Sequence, residues 1–235
     1  MLDLKQNMAD VRERVRTSCA RAGREVESVR LIAVTKTVPP EWINQAISLG
    51  ITDVGENRVQ EYLSKRDSLL PHTFHFIGRL QRNKVRHILP YCAWIHSVDS
   101  LRLAEEIQHR AESAGLRVNI LLEVNVSGEE SKGGIPPQKV VELADGVLSM
   151  PNIECRGLMT VPEASDDPES VRPAFRMLRL LLEELRRRYP GRPLTELSMG
   201  MSADFETAIE EGATMVRLGT AIFGPRSCLT VPETR

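Results

Sequence analysis

The chain has 235 residues, with 31 lysines and arginines against 32 aspartates and glutamates, for a formal net charge of −1. At 41% hydrophobic and 27% charged residues it has a globular composition, which excludes disordered, collagen-like and disulfide-scaffold classes. The balanced charge argues against a general nucleic-acid or membrane binder, and no run of about 18 apolar residues supplies a membrane span.

Met1 to Ala20 carries Asp3, Lys5, Asp10, Arg12, Glu13, Arg14 and Arg16 without an apolar stretch, so it does not read as an export signal. Leu4, Met8, Val11 and Val15 mark one face of a first helix ending near Gly23. Leu31 to Val34 is a buried-type strand. Pro39-Pro40 opens a helix with Trp42, Ile43, Ala46 and Ile47 on one face. A second strand spans Ile51 to Gly55, a helix Asn57 to Leu69, and a third strand Thr73 to Ile77, followed by a basic helix over Gln81 to Ile88. Trp94 to Val98 is the fourth strand, and Asp99-Ser100 caps a helix with Leu101, Ala104, Ile107 and Ala111 inward.

The second half repeats the pattern. Val118 to Val126 is a strand, and Pro136-Pro137 starts a helix with Val140, Ala144 and Val147 on one face. Ile153 to Met159 is a strand, and Val171, Phe175, Leu178, Leu182 and Leu185 form a stripe at helical spacing. Leu194 to Leu197 is a strand, Ser202 to Glu211 a helix between a capping serine and Gly212, and Thr214 to Leu218 the last strand, with a helical turn from Thr220. Eight strands, each followed by a helix, predict a single (β/α)8 TIM-type barrel with an extra N-terminal helix, one domain over 1–235 whose last residues, 225–235, fray as a tail. The competitor, an open doubly wound sheet, usually carries a glycine fingerprint after its first strand; here Thr35-Lys36-Thr37 follows.

Chemistry in such a barrel sits at the C-terminal strand ends. Of six lysines, only Lys36 directly follows an apolar strand core. Partial desolvation there frees an amine for a Schiff base; a lysine snorkelling at the rim is the equal alternative. The loops after strands seven and eight often bind phosphate. Ser198 to Ser202 leads into a helix N-terminus, Gly219 admits close backbone approach and Thr220 adds a hydroxyl. A phosphate-bearing carbonyl ligand fits these residues: pyridoxal phosphate (PLP) or a sugar phosphate. Cys19, Cys92, Cys155 and Cys228, without a CxxC pair, read as reduced thiols of a cytoplasmic protein, and the five histidines show no metal-ligand spacing and read as core or surface side chains, His75 and His96 facing the barrel. Arg79, Arg82, Lys84 and Arg86 read as a solvated face, and Glu129, Glu130 and Lys132 as a loop ion-pair cluster.

Ala33-Val34-Thr35-Lys36, Gly55-Glu56-Asn57-Arg58-Val59-Gln60-Glu61 and His75 to Lys84 resemble the pyridoxal phosphate homeostasis protein family (YggS/PROSC-like). The resemblance continues through Val124 to Gly134, Gly157-Leu158-Met159-Thr160, Leu197 to Asp204 and Val216 to Gly224. It implies a barrel like the N-terminal domain of alanine racemase, with PLP held as an internal aldimine on Lys36. It further implies that Arg217 faces the pyridine nitrogen, that Ser202, Gly219 and Thr220 bind the phosphate, and that Asn57 and Met159 line the pocket. No metal and no catalytic residue is implied. A racemase needs an acid/base on each face of the substrate Cα. Eleven residues follow Gly224, none a tyrosine, and Tyr62, Tyr91 and Tyr189 lie away from the strand ends. The expectation is therefore a monomeric cytoplasmic PLP carrier without robust catalysis, serving PLP-dependent apo-enzymes. A minimal amino-acid racemase and a Schiff-base aldolase acting on a phosphorylated carbonyl compound are the alternatives.

Overall fold

Parallel strands need crossover connections and must be buried on both faces, which is why the eight predicted strands are short and apolar. The computed structural model describes residues 3–128, 133–163, 165 and 167–225. In order, the elements are α1 (Leu4–Arg21), β1 (Arg30–Val34), α2 (Pro40–Ser48), β2 (Asp53–Glu56), α3 (Val59–Lys65), β3 (Thr73–Phe76), α4 (Arg82–Ile88), β4 (Trp94–Val98) and α5 (Leu101–Ser113). They continue as β5 (Val118–Glu123), α6 (Val140–Val147), β6 (Ile153–Met159), α7 (Arg172–Arg188), β7 (Glu196–Ser198), α8 (Phe205–Glu210), β8 (Met215–Leu218) and α9 (Thr220–Phe223). All neighbouring strands pair in parallel, and β8 pairs β1, closing the barrel.

The helices cover the barrel. Asp3 caps α1, its carboxylate accepting the Gln6 N–H at 2.9 Å, and Leu4, Met8, Val11 and Val15 are buried as the periodicity requires. This extra helix packs on α8 and α9. The α7 stripe (Phe175, Leu178, Leu182 and Leu185) is fully inward. Strand alternation divides the core in two. Outward positions such as Ala33, Val54, Phe74, Phe76 and Ile95 join the helices in the main core. Ile32, Trp94, Leu121, Met159 and Met215 form a separate cluster inside the barrel.

Several expected boundaries move. β5 ends at Glu123: Val124 N–H still donates to Met159 O at 2.8 Å, but Val124 also bridges Ile135, and the next residue turns to it, Asn125 N–H donating to Ile135 O at 2.9 Å. In α5, Leu103 replaces Leu101 on the inner face, and Leu101 is exposed. The seventh strand runs over Glu196–Ser198 rather than from Leu194. The helix expected from Ser202 begins at Phe205. Gly200, at φ +91°, and a bond from Met201 N–H to Asp204 Oδ1 (2.5 Å) fold the intervening residues into a tight turn, leaving Asp204 rather than Ser202 at the N-cap. Residues 226–235 of the expected tail, Cys228 among them, lie outside the described residues, as do Glu129, Glu130 and Lys132. Cys19, Cys92 and Cys155 are free and buried, and burial pushes the thiols of Cys92 and Cys155 up to about 12.

Candidate functional site

At the C-terminal ends of the strands, Val34, Lys36, Asn57, Ile77, Val161, Ser202, Arg217, Gly219 and Thr220 surround a cavity of about 420 Å3. That size lies in the usual range for small-ligand sites. Six of the seven residues expected to bind a cofactor meet there. Met159 does not: it is buried one layer down, in the interior cluster, and Val161 supplies the β6 side of the wall.

The first wall begins at β1. Thr35 is fully buried, its hydroxyl donating to Glu56 Oε1 at 3.1 Å, and its backbone N–H bonds Gly55 O. The chain then turns outward, so Lys36 is exposed at the mouth. The desolvation expected from its place after an apolar strand is absent, because the strand stops at Val34 and Thr35 anchors the turn. Thr37 adopts φ +63°, an uncommon value for a β-branched residue. Its N–H is held by Glu61 Oε1. Behind this turn lies a buried ion pair: Lys65 Nζ donates to Glu56 Oε1 at 2.5 Å and to Thr35 O at 2.7 Å, and Glu56 Oε2 accepts Asn57 N–H at 3.0 Å. Asn57 passes close under β3, where a Cβ on Gly78 would come 2.3 Å from Asn57 O. The Asn57 side-chain oxygen is buried without a hydrogen-bond partner.

Two loops close the other side. Ser202 Oγ accepts the backbone N–H of Gly219 (3.2 Å) and of Ala221 (3.1 Å), so it tethers the β7 loop to the turn opening α9. A Cβ on Gly219 would meet only Val34, at 3.7 and 3.8 Å, so the space over this glycine is left to the cavity. Arg217 projects inward from β8, 4% exposed. It donates to Ser198 Oγ at 2.6 Å and to Thr160 O at 2.8 Å. Burial lowers its pKa to about 10, Asp204 and Glu123 opposing the shift, so it stays charged at neutral pH. Sequence reading assigns no role to Thr160, Glu56, Lys65 or Glu61 and places Ser198 only in the loop after the seventh strand; Ser198, Thr160 and Glu56 stand at strand ends, whereas Lys65 and Glu61 act from α3 behind them.

Glu123, at the end of β5, is held up to about 7 by burial and the nearby Asp99, against Arg217 and Arg79. A carboxyl whose folded pKa exceeds its unfolded value contributes stability below about pH 4.5 and loses it as pH rises through about 7. Glu123→Gln should therefore raise the melting temperature more at pH 8 than at pH 5. Equal shifts at both pH values, measured by thermal denaturation, would show that Glu123 ionises normally.

Among the described residues, no group of three or more His, Cys, Asp or Glu side chains could hold a metal ion. Among them, no helix is long and apolar enough to cross a membrane.

A closed barrel of eight parallel strands with a cavity at their C-terminal ends is an α/β barrel, and comparison with known proteins narrows it to a family. The profile of the family described as alanine racemase, N-terminal domain, matches residues 6–227. The alanine racemase of Corynebacterium glutamicum, at 18% identity, shares the fold with a TM-score of 0.67 over 92% of this chain and 61% of that one. A pyridoxal phosphate homeostasis protein of Aquifex aeolicus is 49% identical over 223 residues, 94% of this chain and 97% of that protein. PipY of Synechococcus elongatus, solved with PLP bound, is 33% identical with a TM-score of 0.84, covering 94% of this chain and 100% of that one. The chain belongs to the alanine racemase N-terminal domain family and, within it, to the pyridoxal phosphate homeostasis proteins.

Proposed function

We propose that the chain is one PLP-binding domain that holds PLP on Lys36 and serves cytoplasmic PLP homeostasis. The observation that carries this reading is the convergence of the Lys36 amine, the Arg217 guanidinium and the Ser202–Gly219–Thr220 loops on one cavity. The residues fit the group. Asn57 Oδ1 is an orphaned buried acceptor in the wall, and the space over Gly219 is open.

Bound PLP supplies an aldehyde that condenses with an amine and a ring that accepts electron density. Lys36, exposed at the mouth, is the amine that joins the aldehyde carbon. Arg217 has roughly five N–H donors and no acceptor, of which Ser198 and Thr160 occupy two nitrogens. It can donate to the ring nitrogen but cannot take a proton from it, which favours an unprotonated ring. Ser202, whose oxygen already accepts two N–H groups, has its own proton to give to a phosphate, and Thr220 adds a second hydroxyl. Charge-assisted hydrogen bonds contribute about 1.5–3 kcal/mol each, so pyridoxal without its phosphate should bind at least about ten-fold more weakly than PLP. Equal affinities in equilibrium titrations would remove the phosphate assignment.

Among the described cavity residues, the Asn57 amide and the Ser202 and Thr220 hydroxyls are not bases at neutral pH. This favours holding PLP over turning substrates over, in a monomer that passes PLP to apo-enzymes. The test incubates PLP-loaded protein with L-alanine, followed by chiral chromatography, and separately with a PLP-dependent apo-enzyme. The reading predicts no sustained racemisation and activation of the apo-enzyme. Multiple-turnover racemisation would establish the racemase alternative instead, and a protein that takes up no PLP would favour the aldolase.

A further inference from the structure

The interior of this barrel is not wholly apolar. Inward positions of β2, β3, β4, β7 and β8 carry Asp53, His75, His96, Ser198 and Arg217. They form an unbroken file: Arg217 to Ser198 Oγ, 2.6 Å; Ser198 Oγ to His96 Nδ1, 2.9 Å; His96 Nε2 to His75 Nδ1, 2.9 Å; His75 Nε2 to Asp53 Oδ1, 2.8 Å. His75, His96 and Ser198 are 0% exposed. Asp53 stands at the start of β2, at the opposite end of the barrel from the cavity, with Thr52 Oγ1 donating to it at 2.6 Å and Arg30 Nε 3.8 Å away.

The two ends, together with the charge state of the imidazoles between them, fix the direction of every bond. Arg217 can only donate, and an ionised Asp53 can only accept. Burial raises the Asp53 carboxyl, but bonds from His75 and Thr52 and the charge of Arg30 outweigh it and hold it below the usual range. Burial keeps His75 below the ordinary imidazole value, against the pull of Asp53, and His96 well below it, with His75 and Arg217 adding to the effect. Two neutral imidazoles leave one arrangement: the Ser198 hydroxyl donates to His96 Nδ1, His96 Nε2–H to His75 Nδ1, and His75 Nε2–H to Asp53. A protonated His75 would keep its bond to Asp53 and reverse the other two, so that the Ser198 oxygen would accept from both His96 Nδ1–H and Arg217. His75 also lies parallel to Trp94, ring centroids 5.8 Å apart, which fixes its plane.

We propose that Asp53, His75, His96 and Ser198 are positioning residues that lock Arg217 in one orientation toward the cavity, so that a break deep in the barrel is felt at the ring nitrogen of bound PLP. The proposal rests on the reading that PLP binds here with that nitrogen toward Arg217. None of the four lines the cavity.

The test has two arms. In cofactor-free wild-type protein, nitrogen-15 NMR of labelled histidine should show His75 and His96 both neutral and protonated on Nε2. The opposite tautomer at either, or a charged His75, overturns the relay without reference to any cofactor. In the second arm, PLP labelled at the ring nitrogen is bound to wild type, His75→Phe, Ser198→Ala and Ser198→Thr. His75→Phe keeps the ring stacked on Trp94 and removes both of its hydrogen bonds. The ring-nitrogen resonance should move in His75→Phe and Ser198→Ala, PLP affinity should fall on the order of ten-fold in Ser198→Ala, and Ser198→Thr should restore both. Folded variants that bind PLP with wild-type resonance and affinity overturn the proposal alone. A wild-type protein that binds no PLP overturns the underlying reading and this proposal with it. Should the substitutions prevent folding, the wild-type tautomers decide.

Discussion

Lys36→Ala should lose the borohydride-reducible adduct with PLP and keep its fold. The side chain is exposed, follows the end of β1, and makes no hydrogen bond or ion pair among the described residues. Truncating such a side chain changes stability by about 0.5 kcal/mol or less. The anchors of the turn, Thr35, Glu61 and Lys65, remain in place. The comparison is the mass of the reduced PLP complex in wild type and variant, with circular dichroism as the control for folding. A full-stoichiometry adduct on the variant would mean that another lysine carries the cofactor.

Lys65→Met should destabilise the protein by about 3–5 kcal/mol, because it strands a buried carboxylate. Glu56 is 0% and Lys65 7% exposed, and the ammonium also satisfies Thr35 O at 2.7 Å. Replacing both partners, Glu56→Gln with Lys65→Met, should recover much of the loss, since no charge is then left uncompensated. Because the pair backs the Lys36–Thr37 turn, PLP affinity should fall in the single variant even where it remains folded. Urea unfolding of the single and double variants measures this. A single-variant loss below about 1 kcal/mol would show that Glu56 finds water or another donor.

The barrel was legible because its period is strong: apolar strands such as Leu31–Val34 and Ile153–Met159 alternate with helices whose stripes and ends are marked by Pro39-Pro40, Pro136-Pro137 and Gly212. Where local signals competed, the reading slipped. Ser202 looked like an N-cap by residue type, but Asp204 two residues on takes the turn, and the Ser202 hydroxyl serves α9 across the gap. The candidate site was legible where it lies at strand ends, since the fold dictates that address. Met159 stands at such an end but one layer too deep. The relay was invisible for another reason. A histidine inside an apolar strand reads as core, and the partner that gives it a role is far away in the chain: His96 and Ser198 are 102 residues apart. Only closure of the barrel makes them neighbours. Lys65 likewise looks like one more surface lysine on α3 until the turn after β1 supplies Thr35 O and the end of β2 supplies Glu56.

On the reading proposed above, PLP binds this cavity through Lys36, with its ring nitrogen toward Arg217 and its phosphate at Ser202, Gly219 and Thr220. A crystal structure of the protein grown with PLP tests it most directly. Density should be continuous with Lys36 Nζ, an Arg217 nitrogen should lie within hydrogen-bond distance of the ring nitrogen, and phosphate oxygens should rest on Ser202 and Thr220. Density joined to a different lysine, or PLP seated with its phosphate toward Arg217, would contradict it.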